Sequence, residues 1–128
     1  MATNIKKKRS KPFQANAASV KYLTDLGWTC CVVEKRIPHC FRTVDAFNFG
    51  DILACSPTRG IMLIQATGGG NFTKRVAKVK AEPRAAIFIA SGGRIQVHDF
   101  VKRAGKKERE CRVFEITKEW LASNGGVT

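Results

Sequence analysis

The sequence predicts a single α/β domain: a helix, three strands, a second helical region and a further strand, with one extra strand at the end. Apolar residues recur at helical spacing over 12–27 and 72–82, and they alternate as in strands over 51–55 and 61–67. A chain of 128 residues can bury roughly two-thirds of its unfolded surface. We therefore expect a true hydrophobic core that needs no disulfide or structural metal.

Charge indicates the class of partner. The chain carries 23 Lys and Arg against 10 Asp and Glu, a net charge of +13 at pH 7. Such an excess suits a polyanion, and nucleic acid is the leading candidate. The chain shows no long apolar run, secretory leader or lipidation signal, so we expect no membrane contact and a cytoplasmic protein.

The two ends differ in composition from the middle. Residues 1–11 read as a flexible basic arm, residues 12–120 as one domain, and residues 121–128 as a frayed tail. This arm could be a solvated tail. Equally, its cations Lys6, Lys7, Lys8 and Arg9 could contact the phosphates of a nucleic acid.

Five cysteines form no CxxC pair, and their odd number argues against a disulfide framework. We expect reduced thiols that mostly serve as small core residues. A zinc site built on His39 and Cys40 is a weak alternative, because no second ligand pair has finger spacing.

The first part of the domain leads to an acidic residue. A helix over 12–27 would bury a stripe through Phe13, Ala17, Val20 and Leu23 and stop at a glycine. The pattern over 28–35 predicts a buried strand with Glu34 near its end. The pattern over 36–50 predicts a loop that contains Arg42 and Asp45. Glu34 fits either a site acid or an ion-pair partner of nearby basic residues.

The segments 51–55 and 61–67 predict a hairpin whose turn contains Pro57 and Gly60. With the turn centred near Thr58, Leu53 lies opposite Leu63 and Asp51 lies opposite Gln65. A carboxylate and an amide then meet across an apolar sheet. Each residue alone fits a structural role, but their opposition favours a divalent-metal site, with Asp45 as a weaker further ligand.

After the hairpin, a glycine triplet and Asn71 precede a helix with a basic side formed by Lys74, Arg75 and Lys78. Residues 83–93 favour a short helix closed by two glycines. Residues 94–102 and 110–117 alternate like strands around a basic turn and predict a final hairpin.

The series VVEK, GDILA, LIQAT and GGRIQVHDF, in the order αβββαβ, resembles the PD-(D/E)xK nuclease superfamily. It is most similar to small phage and bacterial proteins related to VRR-NUC domains and Holliday-junction resolvases. The resemblance covers roughly residues 14–117 and implies a restriction-endonuclease-like fold with a mixed central sheet and an extra C-terminal strand. It also implies a Mg²⁺- or Mn²⁺-dependent DNA endonuclease, in a bacterial cytoplasm if the protein is phage-encoded.

By position, the resemblance implies that Asp51 is the main metal ligand and that Glu34 and the Gln65 oxygen complete the site. The family's lysine would lie two residues past Gln65, where this chain has Thr67. Lys78 on the following helix is the predicted replacement, with Lys74 and Arg75 as neighbours. Arg42, Lys74, Arg75 and the basic arm would hold the phosphate backbone of DNA, branched DNA being a plausible substrate.

Thr67 also keeps a second function open: a non-catalytic nucleic-acid-binding protein on a degenerate nuclease fold. An RNA-binding module is a weaker third, because no aromatic residues are spaced for base stacking on a sheet. Resolvase-like relatives act as symmetric dimers, so the resemblance implies a homodimer as well.

Overall fold

The computed structural model describes residues 12–39 and 42–125. Its main feature is a five-stranded mixed sheet in the order β1-β4-β5-β6-β7. The strands are β1 (Thr29–Val32), β4 (Ile52–Ser56), β5 (Gly60–Gly68), β6 (Arg94–Lys102) and β7 (Arg109–Ile116). Only β5 and β6 pair in parallel. The predicted α/β class, with three antiparallel strands, a parallel fourth and an appended fifth, is confirmed.

Helices cover both sides of this sheet: α1 (Ala15–Asp25), α2 (Phe72–Lys80), α3 (Pro83–Ala90) and the short α4 (Lys118–Trp120). One core cluster joins α1 to the sheet through Leu23, Trp28, Ile52 and Met62. The second lies on the opposite face, beneath α2 and α3, and contains Phe49, Leu63, Val79, Ala85 and Ile95. None of the helices in the described segments has the length and apolar character needed to cross a bilayer.

The central hairpin has the predicted register, with Leu53 opposite Leu63. Side-chain alternation therefore places Asp51, Gln65 and Thr67 on the face covered by the second cluster. That cover is incomplete near the turn, where Leu53 and Ile61 are exposed.

A strand forms within the predicted range 28–35, but it covers only Thr29–Val32 and is mostly exposed instead of buried, and the prediction of a loop over 36–50 is wrong. The strand β1 ends at Val32, and the chain then forms a separate two-stranded sheet from β2 (Lys35–Ile37) and β3 (Arg42–Val44). The cause lies in the backbone: the amides of Val33 and Glu34 both donate to the Asp51 carbonyl, at 2.8 and 3.1 Å. The chain consequently leaves the main sheet there, and Pro38 belongs to a turn within a hairpin.

Several smaller expectations also change. The buried residues of α1 are Ser19 and Leu23, whereas Ala17 is exposed. Asn71, which its sequence position makes a candidate cap, lies at the N-cap of α2 but makes no side-chain cap bond; its side chain donates to the Gly68 carbonyl at 3.2 Å. Regular backbone continues as a π-helical turn over Leu121–Gly125, within the predicted tail.

The described cysteines are free thiols, as expected, but the prediction that most of them lie in the core is wrong. Cys31 and Cys55 are exposed, and Cys30 and Cys111 are half-buried. Burial and the nearby Asp99 charge raise the pKa of Cys111 to about 12, so its thiol stays protonated at neutral pH. Cys40, and with it the zinc alternative, lies outside the described residues.

Candidate metal centre

Asp51 is the most constrained side chain of the site. It directly precedes β4 and is only 2% exposed. Its amide donates to the Ile64 carbonyl at 2.9 Å, while its carbonyl accepts from the chain that leaves β1. The preceding Gly50 has no room for a side chain, because a Cβ there would lie 2.8 Å from a Leu63 methyl group. Backbone contacts on both sides therefore fix the carboxylate.

Gln65 lies beside this carboxylate, as the register predicts. Its Nε2 donates to Asp51 Oδ2, which also accepts from the Ala66 amide at 3.2 Å. Asp51 Oδ1 and Gln65 Oε1 are buried and have no hydrogen-bond partner among the described residues. An unsatisfied buried acceptor costs about 1–3 kcal/mol. Two such oxygens in one place fit a hard cation that takes oxygen ligands, such as Mg²⁺ or Mn²⁺.

Two further carboxylates complete an acidic cluster, defined as Glu34, Asp45 and Asp51. One ligand oxygen from each lies within 4.8 Å of the other two. Glu34 is partly exposed and accepts a hydrogen bond from the Asn16 amide of α1 at 3.4 Å. The cluster thus combines three carboxylates, which are ligands that suit a divalent cation. Beside it, the Gln65 amide turns its nitrogen towards Asp51, so the amide would have to rotate for Gln65 Oε1 to bind a cation there.

The turn between Asp45 and Asp51 brings these two acids together. Ala46 and Gly50 form an isolated antiparallel bridge, with N···O distances of 2.9 and 2.8 Å. Inside the turn, Phe47 and Asn48 have φ values of 52° and 69°. Non-glycine residues rarely occupy this left-handed region, and such strain is concentrated at functional sites.

Electrostatics within the cluster favour a cation. Burial, and secondly the neighbouring Glu34 carboxylate, raise the pKa of Asp51 to about 8. The Asp45 charge acts in the same direction. Like charges held this close disfavour joint ionisation, whereas a bound divalent cation reverses that preference.

Lys78 supplies the cluster with a cation from α2. Its Nζ lies 3.0 Å from Asp45 Oδ2, and the Asp45 side chain is 6% exposed. Thr67 is buried on β5, and its hydroxyl is 3.4 Å from the Gly68 carbonyl. The strand position at which the resemblance implies a lysine is therefore occupied by the uncharged Thr67. The ammonium group that contacts the cluster belongs to Lys78 on α2.

The structure thus brings Glu34, Asp51, Gln65 and Lys78 to one place. Lys74 is exposed and Arg75 half-buried on the same helix as Lys78. The backbone of Arg42 lies in β3. The arm residues Lys6, Lys7, Lys8 and Arg9 lie outside the described residues. The alternative role of Glu34 is an ion-pair partner of Lys35, Arg36 or Arg42. Glu34 forms no ion pair with Lys35 or Arg36 in the described part of the chain, and a pair with the Arg42 side chain is not tested.

Sequence reasoning missed one neighbour of the site and undervalued another. Asn16 was not singled out, although an asparagine near the start of a helix, where the side chain has few local partners, could have marked it. Asp45, the weaker ligand candidate from the sequence, lies directly after β3, as Glu34 lies directly before β2. The sequence carries no clear signal for this placement, because both strands are too short to show a period.

Comparison with protein-family models, with curated proteins and with solved structures finds no match to this chain.

Proposed function

We propose that the protein is a divalent-metal-dependent DNA endonuclease whose centre is the acidic cluster. One observation carries the proposal: Asp51 Oδ1 is buried with no hydrogen-bond partner among the described residues, and ligand oxygens of Glu34 and Asp45 lie within 4.8 Å of an Asp51 carboxylate oxygen. Buried unsatisfied acceptors and crowded acids are costly to a fold, and perturbed carboxylates of this kind are concentrated at functional sites, which supports the proposal.

Each side chain has a defined task in this proposal. Asp51, Glu34, Asp45 and the Gln65 oxygen would hold Mg²⁺ or Mn²⁺. The cation, when bound, would polarise the scissile phosphate and lower the pKa of a water that attacks in line. Lys78, already paired with Asp45 at 3.0 Å, adds positive charge beside the negative charge that develops on the phosphate. Asn16 orients Glu34.

The basic surface supports a nucleic-acid substrate. A net charge of +13 provides sequence-independent attraction to phosphates, which weakens as salt concentration rises. Lys74 and Arg75, from the same helix as Lys78, would contact the backbone near the cluster, together with Arg42 and the basic arm. These contacts position DNA without reading its sequence.

The second candidate is a non-catalytic DNA-binding protein. The observation that favours it is the buried, uncharged Thr67 in the place of the motif lysine. The Lys78–Asp45 pair weighs against it, because it places an ammonium group at the cluster.

Branched DNA as the preferred substrate and a homodimeric state are further parts of the endonuclease proposal, and both rest on the resemblance alone.

Cleavage assays separate the two functions. Labelled four-way junction, duplex and single-stranded DNA are incubated with Mg²⁺ or Mn²⁺, using wild type, Asp51→Asn and the exposed control Asp25→Asn. We expect the wild type and Asp25→Asn to cut and Asp51→Asn to bind without cutting. If the wild type binds DNA and cuts none of the substrates with either metal, the endonuclease proposal fails and the binding function stands.

A further inference from the structure

The end of the β6–β7 hairpin presents exposed cations that the acidic cluster does not use. We call residues 102–108 the basic turn. Its Lys102, Lys106 and Lys107 are exposed, and none of them makes an ion pair within residues 12–39 and 42–125. The exposed acid Glu108 offsets only part of this charge. The basic turn is therefore a local positive surface.

The shape of the basic turn is fixed by its own contacts. Arg103 pairs with Glu110 across the two strands at 2.6 Å, and this pairing lowers the pKa of Glu110, so both groups stay charged. The Lys106 amide donates to the Arg103 carbonyl at 3.2 Å. Gly105 has a φ of 77°, which favours glycine, and no heavy atom lies within 4 Å of a Cβ placed there. The turn consequently presents its lysines to open space.

The basic turn lies at the same end of the sheet as the acidic cluster. In the parallel pair of β5 and β6, Gln65 lies opposite Val97 and Gly68 lies opposite Phe100. The strand β6 then continues to Lys102. At about 3.3 Å per residue, Lys102 lies roughly 17 Å beyond the level of Gln65 along the strand direction. The two features are separated by a distance that one elongated ligand can span.

A glycine loop, residues 68–70, lies between them at the end of β5. Gly69 and Gly70 have no side chain, and no heavy atom lies within 4 Å of a Cβ placed at either residue. The Arg109 guanidinium lies beside Gly68 and stacks on the Phe13 ring at 4.1 Å. The described chain thus begins, at residue 12, next to this loop. The space over Gly69 and Gly70 is open, and a further cation lies at its border.

The chemistry of this end favours a stiff polyanion. Residues 102–108 contain no aromatic side chain, and proteins that bind single strands commonly stack bases on such side chains. Lysines contact phosphates without reading bases. Duplex DNA is stiff over about 150 base pairs, so it spans two separate contact points without the ordering cost that a flexible single strand incurs.

Resting on the proposed endonuclease function, we propose that the basic turn binds the phosphate backbone of duplex DNA at roughly 17 Å from the acidic cluster. Lys102, Lys106 and Lys107 are the phosphate contacts. The duplex lies along the end of the sheet, over the glycine loop, and its charge is matched at both ends of this path. These three lysines are outside the set implied by the resemblance.

Two double variants that remove equal charge test this surface: Lys106→Gln with Lys107→Gln, and the control Lys80→Gln with Lys118→Gln. Lys80 is the last residue of α2, far from the glycine loop, and Lys118 follows β7 at the opposite end of the sheet; both are exposed. Fluorescence anisotropy in EDTA measures the affinity for a 20-base-pair duplex and for one of its strands over a series of salt concentrations. Circular dichroism checks that both variants are folded.

We expect the turn variant to weaken duplex binding about tenfold and to lower its salt slope by about 1.8, the loss of two phosphate contacts. The control variant should weaken duplex binding less than threefold, and the turn variant should weaken single-strand binding less than threefold. Equal losses for the two variants would overturn the surface, and equal losses on duplex and single strand would overturn the duplex as its partner. Because the readout is binding without metal, it does not depend on whether the wild type cuts DNA, which tests the proposed function separately.

Discussion

At the scale of single residues, Asp51 and its neighbours lower the stability of the metal-free fold, as expected of a site that binds a cation. Asp51 Oδ1 and Gln65 Oε1 are buried without partners among the described residues, and two other carboxylates lie within 4.8 Å of Asp51. Hydrogen bonds from Gln65 and Ala66 and the Lys78–Asp45 ion pair offset part of this cost, but burial and the neighbouring acids still raise the pKa of Asp51. Removing the Asp51 charge should therefore stabilise the metal-free protein and weaken cation binding at the same time.

Asp51→Asn is expected to raise the free energy of unfolding of the metal-free protein by on the order of 1–2 kcal/mol, by relieving repulsion and desolvation of the buried acid. Urea unfolding in EDTA measures this change. Asp25→Asn, at an exposed residue paired with Lys21 at 3.2 Å, should shift it by less than about 0.5 kcal/mol. Destabilisation by Asp51→Asn larger than that of the control would contradict a site built around a cation.

Lys78→Met is expected to lower the cleavage rate by about 10²–10³-fold, since charge stabilisation at the phosphate contributes at this level. Its affinity for Mn²⁺ should not fall, because the ammonium group is not a ligand and its removal leaves more negative charge at Asp45. Lys80→Met, an exposed change on the same helix, is the control for charge and helix stability. Rates within threefold of wild type for Lys78→Met would remove Lys78 from catalysis.

The residue pairing at the centre was predictable, and the charge arrangement was not. Hairpin register follows from the turn and the period of two, which placed Asp51 against Gln65 correctly. The contact of Lys78 with Asp45 joins residues 33 positions apart. Such a contact depends on how α2 packs on the sheet, which local patterns do not determine.

At the scale of elements, α1 docks on the sheet through a buried polar contact. Ser19 Oγ lies 2.9 Å from His98 Nδ1, and both residues are 0% exposed. On the other side of the ring, Nε2 lies 2.8 Å from Gln96 Oε1. The Gln96 amide donates to Glu115 at 2.8 Å, so the ring carries its proton on Nε2 and accepts from the serine hydroxyl.

This contact makes the docking of α1 sensitive to pH. Burial lowers the pKa of His98 to about 4, opposed by the charge of Glu115, which is itself paired with Arg94. From α1, the Tyr22 ring forms a T-shaped contact with His98, with 5.5 Å between the ring centroids. Protonation of Nδ1 would place a positive charge against Ser19 and remove the hydrogen bond that Nδ1 accepts from the Ser19 hydroxyl.

Because the folded-state pKa lies below the unfolded value of about 6.5, the unfolded chain binds more protons between pH 4 and 6.5. The stabilisation by neutral His98 is thus complete above about pH 6.5 and is lost as pH falls towards 4, by up to about 3 kcal/mol. Urea unfolding at pH 7 and 4.5 should show a larger loss for wild type than for His98→Gln. Equal pH dependence in the two proteins would show that His98 is not the titrating group.

Strands with clear alternation were predicted almost to the residue, as with β6 and β7. The β2–β3 hairpin was missed because its strands contain only 3 residues each, too few for a period to emerge, and Pro38 reads equally as a loop residue. Ser19 was missed since a polar residue on a helix face predicts solvent, and its buried partner lies 79 positions away.

At the scale of the whole molecule, the acidic cluster lies in a strongly basic chain. Its three acids are part of only 10 acidic residues against 23 basic ones. Around the centre, α2 carries Lys74, Arg75 and Lys78, while the β2–β3 hairpin carries Lys35 and Arg36. Such an arrangement attracts phosphates towards a centre that would otherwise repel them.

We expect DNA affinity to fall by on the order of 10³-fold between 50 and 200 mM salt, the loss typical of about six phosphate contacts. Deleting residues 1–11 removes five cations and should reduce the slope of log affinity against log salt. Anisotropy titrations with a duplex of mixed sequence measure both slopes. A binding constant that is independent of salt would exclude backbone contacts as the source of affinity.

We infer that Glu34, Asp45, Asp51 and Gln65 hold one divalent cation. Electron paramagnetic resonance of free Mn²⁺, titrated into wild type, Asp51→Asn and Asp25→Asn, measures that binding. We expect one Mn²⁺ per chain in wild type and Asp25→Asn, with an affinity that falls at least tenfold in Asp51→Asn. Equal Mn²⁺ binding by all three proteins would show that the cation lies elsewhere.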